Sequence, residues 1–251
     1  MSRSSKRQSF STHCKTDSLL LFLCAIIAEK TGTVATTMGQ KEELGQISEN
    51  FKRIGDPATL EQIYGSLDRF TTSYKRSSNT IRPGDTLPSF SLSDATGKAV
   101  SSQDLLSQSA VLITFYRGSW CPYCNVAVQY LQRHHAAFKA KGVSLVAISP
   151  EVPDFSMTLV EKQQLKFPVL TDLHNELAKK LGILFDQSSA RELHANLGVD
   201  LQVRNDENTW EVPIPTTLLV DQQGVVRNVH IEADFRKRLD PEDALAWADA
   251  L

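Results

Sequence analysis

The sequence predicts an α/β fold: a central mixed sheet with helices on both faces, preceded by an α-helical N-terminal arm. Three observations predict it. Val111-Leu112-Ile113-Thr114-Phe115-Tyr116 and Val143–Ile148 are nearly unbroken apolar runs, as strands covered on both faces of a sheet require. Between them, residues 123–141 place Ala127, Tyr130, Leu131, His134 and Phe138 on one helical face, and a strand–helix–strand unit closes right-handed into a parallel pair. Further on, Leu218–Asp221 and Val225–His230 flank Gln222-Gln223-Gly224, the pattern of an antiparallel hairpin.

The first 37 residues differ from the rest. Five basic residues (Arg3, Lys6, Arg7, Lys15, Lys30) face two acidic ones (Asp17, Glu29), a net +3 that leaves -5 for the remaining chain. The apolar run Leu19–Ala28 is short for a membrane span and fits the apolar core of a signal peptide, with Thr33-Val34-Ala35 as a cleavage site. Scarce acids also fit a mitochondrial presequence, and a start at Met38 would make the leader an artefact of gene modelling. A start at Met38 favours a cytoplasmic protein; a real leader favours a secretory or mitochondrial one. Three segments are therefore expected: a leader over 1–37, a helical arm over 38–80 and an α/β domain over 81–251.

In the arm, Leu44, Ile47, Phe51 and Ile54 recur at helical spacing, then Gly55-Asp56-Pro57 interrupts. Asp56 suits an N-cap and Pro57 a first helical position. Leu60, Ile63, Tyr64, Leu67, Phe70 and Tyr74 continue the stripe on a second helix. That stripe packs on the main domain or makes a homodimer.

In the domain, Phe90–Asp94 and Lys98–Val100 flank a turn at Gly97. After Val143–Ile148 come a helix over 155–165, a short strand over Pro168–Thr171 and a helix over Asn175–Leu181. Residues 182–212 are long and mixed, an insertion near the site. Asp240-Pro241 opens a last helix with Leu245, Ala248 and Leu251 facing inward.

Composition excludes some functions. The 251 residues are 41% apolar and 22% charged, enough for a sizeable core, and a net charge of -2 gives no reason to expect nucleic acid. Four cysteines are too few for a disulfide scaffold in this length, and no second Cys-x-x-Cys or His-x₃₋₅-His completes a zinc site. Cys14 and Cys24 fall in the leader.

Cys121 and Cys124 carry chemistry. Trp120-Cys121-Pro122-Tyr123-Cys124 stands where the first buried strand gives way to a helix. There the free N–H groups and positive dipole end of the helix favour thiolate, the reactive form in disulfide exchange and peroxide reduction. Arg117 adds positive charge just upstream or lies exposed on the loop, and Trp120 is placed to shield the sulfurs. Tyr123, inside the dithiol loop, is placed to tune it by packing. Glu151 either approaches the dithiol or is solvated. His134 reads as a core histidine and His135 as solvated.

The order βαβαββα with a Cys-x-x-Cys at the first strand–helix junction is the thioredoxin arrangement. Gly84-Asp85, Pro88–Leu92 and Gly97-Lys98 resemble the entry hairpin of the alkyl hydroperoxide reductase and thiol-specific antioxidant family, the peroxiredoxins. Phe115–Cys124 resembles its peroxiredoxin-like branch with a Trp-Cys-Pro-x-Cys motif, and Pro213–Asp221 with Gly224-Val225-Val226 resembles its late hairpin. The resemblance covers about residues 81–251. Laid on the family's Pro-x-x-x-Thr/Ser-x-x-Cys motif, the proline position falls on Arg117, the threonine on Cys121 and the peroxidatic cysteine on Cys124. The family's second peroxidatic arginine falls at Pro215, which instead matches the cis-proline that thioredoxins set opposite their dithiol. Thr114 occupies the region where thioredoxins bury an aspartate.

The resemblance implies a thiol peroxidase: one of Cys121 and Cys124 attacks a hydroperoxide and the other resolves the sulfenic acid as an internal disulfide. A thioredoxin- or glutathione-type reductant then regenerates the dithiol, with no metal, flavin or nucleotide cofactor. Thioredoxins use the first cysteine as nucleophile, so Cys121 attacks in the alternative, a protein disulfide reductase. A third reading is a redox-inactive binding module.

Overall fold

The computed structural model describes residues 38–251. The expected leader, with Cys14 and Cys24, lies outside them. Helices α1 (Gln40–Ile54) and α2 (Pro57–Ser73) break where expected: the Asp56 carboxylate accepts from Thr59 N at 3.0 Å and Pro57 opens α2.

Seven strands form one sheet: β1 (Ser91–Asp94), β2 (Ala99–Ser101), β3 (Ala110–Phe115), β4 (Val143–Ser149), β5 (Val169–Thr171), β8 (Thr216–Val220) and β9 (Val226–Ile231). Their order is β2-β1-β5-β4-β3-β8-β9. β3 pairs parallel with β4 and antiparallel with β8, so the first predicted strand lies at the centre of a mixed sheet. Its alternation divides the core. Leu112 faces helices α4 (Pro122–Ala140), α5 (Pro153–Gln163), α9 (Pro241–Ala248) and Leu44 and Ile47 of α1. Val111, Ile113 and Phe115 face α6 (Glu176–Leu181), with Phe70 of α2 and Leu105 of α3 (Ser102–Gln108) at its margin. Both arm helices thus turn apolar residues onto their own body; Phe70 stacks on Phe185 at 4.5 Å.

Three features depart from expectation. Helix α3 was not foreseen; the Ser101 hydroxyl caps it by accepting from Asp104 N, a cue too local to stand out in a polar stretch. The mixed segment resolves into β6 (Leu184–Asp186), a turn at Ser188–Ala190, α7 (Arg191–Asn196), α8 (Leu201–Asn205) and β7 (Glu211–Pro213). β6 and β7 make a ribbon apart from the main sheet. On α9 Pro241, Ala244 and Ala248 are buried and Leu245 packs half-buried on the same core, as expected of Leu245 and Ala248, whereas Leu251 lies past the helix end and is exposed.

Candidate dithiol site

Cys121 is the N-cap of the 19-residue α4, Pro122 its first residue and Cys124 its third. Pro122 fixes the entry into the helix and contributes no N–H to compete for the sulfurs. Both cysteines are free thiols and both are buried, Cys121 at 1% and Cys124 at 0% exposure.

The loop that delivers them is strapped down. Glu151 accepts from Ser119 N (2.6 Å) and Ser119 Oγ (3.1 Å) and pairs with Arg204 (2.8 Å) on α8. Asn125 Nδ2 donates to Ser119 O at 2.8 Å. Gly118 has φ +145°, and a Cβ there would meet Trp120 Nε1 at 2.3 Å and the Glu151 carboxyl at 2.9 Å, so only glycine fits. Glu151 is therefore not solvated: its burial raises its carboxyl's pKa, against the hydrogen bonds from Ser119 and the charge of Arg204.

Each sulfur has its own arginine. Arg117 Nη1 lies 3.8 Å from Cys121 Sγ, and Arg238 Nη2 donates to Cys124 Sγ at 3.2 Å. Arg117 is not an exposed loop arginine; it is 4% exposed, its guanidinium stacked between Trp120 (4.6 Å) and Phe235 (4.2 Å). Arg238 lies on the segment between β9 and α9 and donates to the carbonyls of Phe235 and Lys237. Burial pushes both thiols up, but the pair splits. Beyond burial, the Cys124 sulfur raises Cys121 further, against the charges of Arg117 and Arg238, and its thiol sits well above the ordinary value. On Cys124 the hydrogen bond from Cys121, the charges of Arg238 and Arg117 and the Arg117 backbone N–H outweigh burial and lower it to about 5.

Pro215 does come to the site. It lines a narrow cleft beside Cys124, together with Thr114, Thr216, His230 and Arg238. The cleft, about 10 Å³, holds roughly one water-sized molecule. The expected match to a cis-proline is corrected: no peptide bond among the described residues is cis, and the chain enters β8 through a trans Ile214–Pro215 bond, with Pro215 O accepting from Glu232 N at 3.1 Å. Trp120 packs on Arg117 and, edge-on, on His194 (5.1 Å). Tyr123 points away from the sulfurs to α1, where its hydroxyl meets Ser48 Oγ at 3.0 Å. Thr114 Oγ1 meets Thr217 Oγ1 at 3.3 Å. His134 is half-buried with Nδ1 against Tyr130 O (2.8 Å), and His135 stacks on Phe167 rather than standing free in solvent.

Sequence reasoning missed Arg238, Gln187 and His194. Arg238 is one of three basic residues in Arg236-Lys237-Arg238, and nothing local marks the third as the one that reaches a thiol 114 positions earlier. Gln187 and His194 sit in the insertion, which sequence placed near the site without naming residues.

A thioredoxin-type α/β fold with a buried Cys-x-x-Cys at the start of a long helix defines the class, a dithiol protein. The family model described as AhpC/TSA family matches residues 83–229, and the chain belongs to that family. It is 35% identical over 104 residues to "Putative peroxiredoxin bcp" of Buchnera aphidicola subsp. Schizaphis graminum, covering 41% of this chain and 65% of that one. It is 26% identical over 144 residues to "Thiol-disulfide oxidoreductase ResA" of Bacillus thuringiensis subsp. konkukian, covering 57% and 66%. The chain thus spans just under two thirds of the length of these two curated relatives. The solved structure of Peroxidoxin BcpB from Mycobacterium tuberculosis shares the fold, with a TM-score of 0.55 at 22% identity over 68% of this chain and 98% of that one.

Proposed function

We propose that this protein is a thiol peroxidase in which Cys124 attacks the hydroperoxide, Cys121 resolves, and an external thiol of the thioredoxin or glutathione type restores the dithiol. The observation that carries this reading is the Arg238 guanidinium on Cys124 Sγ at 3.2 Å, which leaves that sulfur the more acidic of the pair. The thiolate attacks one peroxide oxygen, forming an S–O bond as the O–O bond breaks. The second oxygen leaves with a proton as water or alcohol, and Cys124 becomes a sulfenic acid. Cys121 then attacks the sulfenic sulfur; the S–S bond forms and water leaves.

Return to the dithiol takes two electrons from external thiol. The incoming thiolate attacks Cys121 and Cys124 leaves, because the lower-pKa thiolate is the better leaving group. Mass spectrometry after stoichiometric hydrogen peroxide tests the assignment: Cys121→Ser should carry sulfenic acid on Cys124, and wild type an internal disulfide. Absence of peroxide consumption with dithiothreitol or thioredoxin overturns the peroxidase reading.

A second reading, thiol–disulfide exchange on protein partners, draws on the 26% identity to the relative named a thiol-disulfide oxidoreductase. It expects Cys121 to be the nucleophile, so that Cys124→Ser traps mixed disulfides with partner proteins while peroxide leaves the wild-type dithiol unoxidised.

A further inference from the structure

Arg117 is held from the side opposite the sulfurs. Its Nη2 donates to Gln187 Oε1 at 2.7 Å, and the same oxygen accepts from His194 Nε2 at 3.0 Å. Because an amide oxygen only accepts, His194 must carry its proton on Nε2. Burial and the Arg117 charge push the imidazole's pKa down to about 3, so it remains neutral in this bond across the working range. All three side chains are nearly excluded from solvent: Arg117 at 4%, Gln187 at 5% and His194 at 4% exposure.

The pair is itself fixed from outside the main sheet. Gln187 N donates to Trp210 O at 2.9 Å across the end of the β6–β7 ribbon, and His194 packs between Trp120 (5.1 Å) and Trp210 (5.8 Å). An arginine facing only two aromatic rings and a weak sulfur acceptor has several rotamers open to it. One strong charge-assisted bond at its far edge selects the rotamer that presents Nη1 to Cys121.

We propose that Gln187 and His194 are positioning residues of the dithiol: they aim the Arg117 guanidinium at Cys121 Sγ and through it set the charge balance between the two sulfurs. The insertion between α6 and β8 then has a function, as the mount that aims one of the two cysteine-facing arginines. The inference rests on the dithiol being the reactive group, not on which oxidant it meets.

The test is the thiolate ultraviolet absorbance of the fully reduced full chain, titrated with pH and without peroxide. The other ionisable groups near the sulfurs, Arg238, the Tyr116 and Tyr123 hydroxyls, and His230, Glu232 and Lys237 around the cleft, stay unchanged in every variant. In Gln187→Met, which keeps length but removes the acceptor, the lower thiol titration should rise by about one pH unit, a roughly tenfold loss of thiolate at fixed pH. His194→Leu should shift the titration in the same direction by less, and His194→Gln, which can still donate to Gln187, should restore it.

Arg117→Lys supplies the decisive control. If Gln187 acts through Arg117, adding Gln187→Met to Arg117→Lys should move the titration little further, as coupled residues require. A wild-type titration in Gln187→Met, or an undiminished shift in the double variant, overturns the proposal. Should Gln187→Met fail to fold by circular dichroism, the His194 pair decides: equal titrations of His194→Leu and His194→Gln overturn it. Failure of the peroxidase reading would show in peroxide consumption and leave this titration untouched.

Discussion

Cys121 and Cys124 sit within one turn of each other, both buried, each with a guanidinium against its sulfur, yet their surroundings are built differently. The Cys124 side is simple: Arg238 reaches in from the segment after β9, anchored on main-chain carbonyls, beside the narrow cleft that Pro215 and His230 line. The Cys121 side is layered: Arg117 is stacked between two rings and held by Gln187, which His194 bonds in turn. Distance separates them further, 3.2 Å for Arg238 against 3.8 Å for Arg117. Two thiols of the same type in one motif are thus driven apart in acidity, which suits one to attack and the other to resolve.

The sharpest way to break this comparison is to remove the sulfurs singly. Cys124→Ser should lower the rate of hydrogen peroxide consumption by at least about a thousandfold, because the attacking atom is gone. Cys121→Ser should keep the first oxidation, seen as a sulfenic acid trapped by dimedone, and lose the internal disulfide. Reversed outcomes would exchange the roles of the two sulfurs within the peroxidase reading, and peroxide oxidising neither would favour disulfide exchange.

The next effect is electrostatic. With Cys124 lowered to about 5, its thiolate is present above that pH and is lost as pH falls through it. The wild-type rate constant for oxidation should therefore be flat near neutrality and decline through about 5 in stopped-flow fluorescence. Arg238→Met removes the closest positive charge, so the decline should move to higher pH, with a loss of roughly ten- to hundredfold at a slightly acidic pH. An unmoved profile would mean that Arg238 does not distinguish the two sulfurs.

Smaller effects mark the frame both sulfurs share. Glu151→Gln keeps the shape of the strap on Ser119 but weakens its charge-assisted bonds and removes the ion pair with Arg204. It should cost about 1–3 kcal/mol in chemical denaturation while the order of the two thiol titrations persists. Tyr123→Phe, which loses the hydroxyl's bonds to Ser48 Oγ and to Tyr64, should cost about 0.5–1.5 kcal/mol and leave the oxidation rate within twofold.

Much of this molecule is local and therefore legible in the sequence. The apolar run at β3 announces a strand buried on both faces, Asp56-Pro57 announces a helix start, and Gly97 (φ +84°) a turn, because each depends on residues within a few positions. Cys121-Pro122-Tyr123-Cys124 declares a dithiol at a helix N-terminus for the same reason. The motif is silent about which sulfur is the more acidic, since that depends on charges brought in from outside it.

Tertiary structure decided that question. Arg238 comes from 114 positions downstream, Gln187 from 70 positions beyond Arg117, and Glu151 straps the loop from just past the end of β4. In a buried site of low polarizability, a guanidinium a few ångströms from a sulfur outweighs the ordinary preferences of the residue itself. Sequence by itself determined that two thiols would meet at the head of α4. Only the folding of distant segments around them determined that the two would not be alike, because charge acts through space and not along the chain.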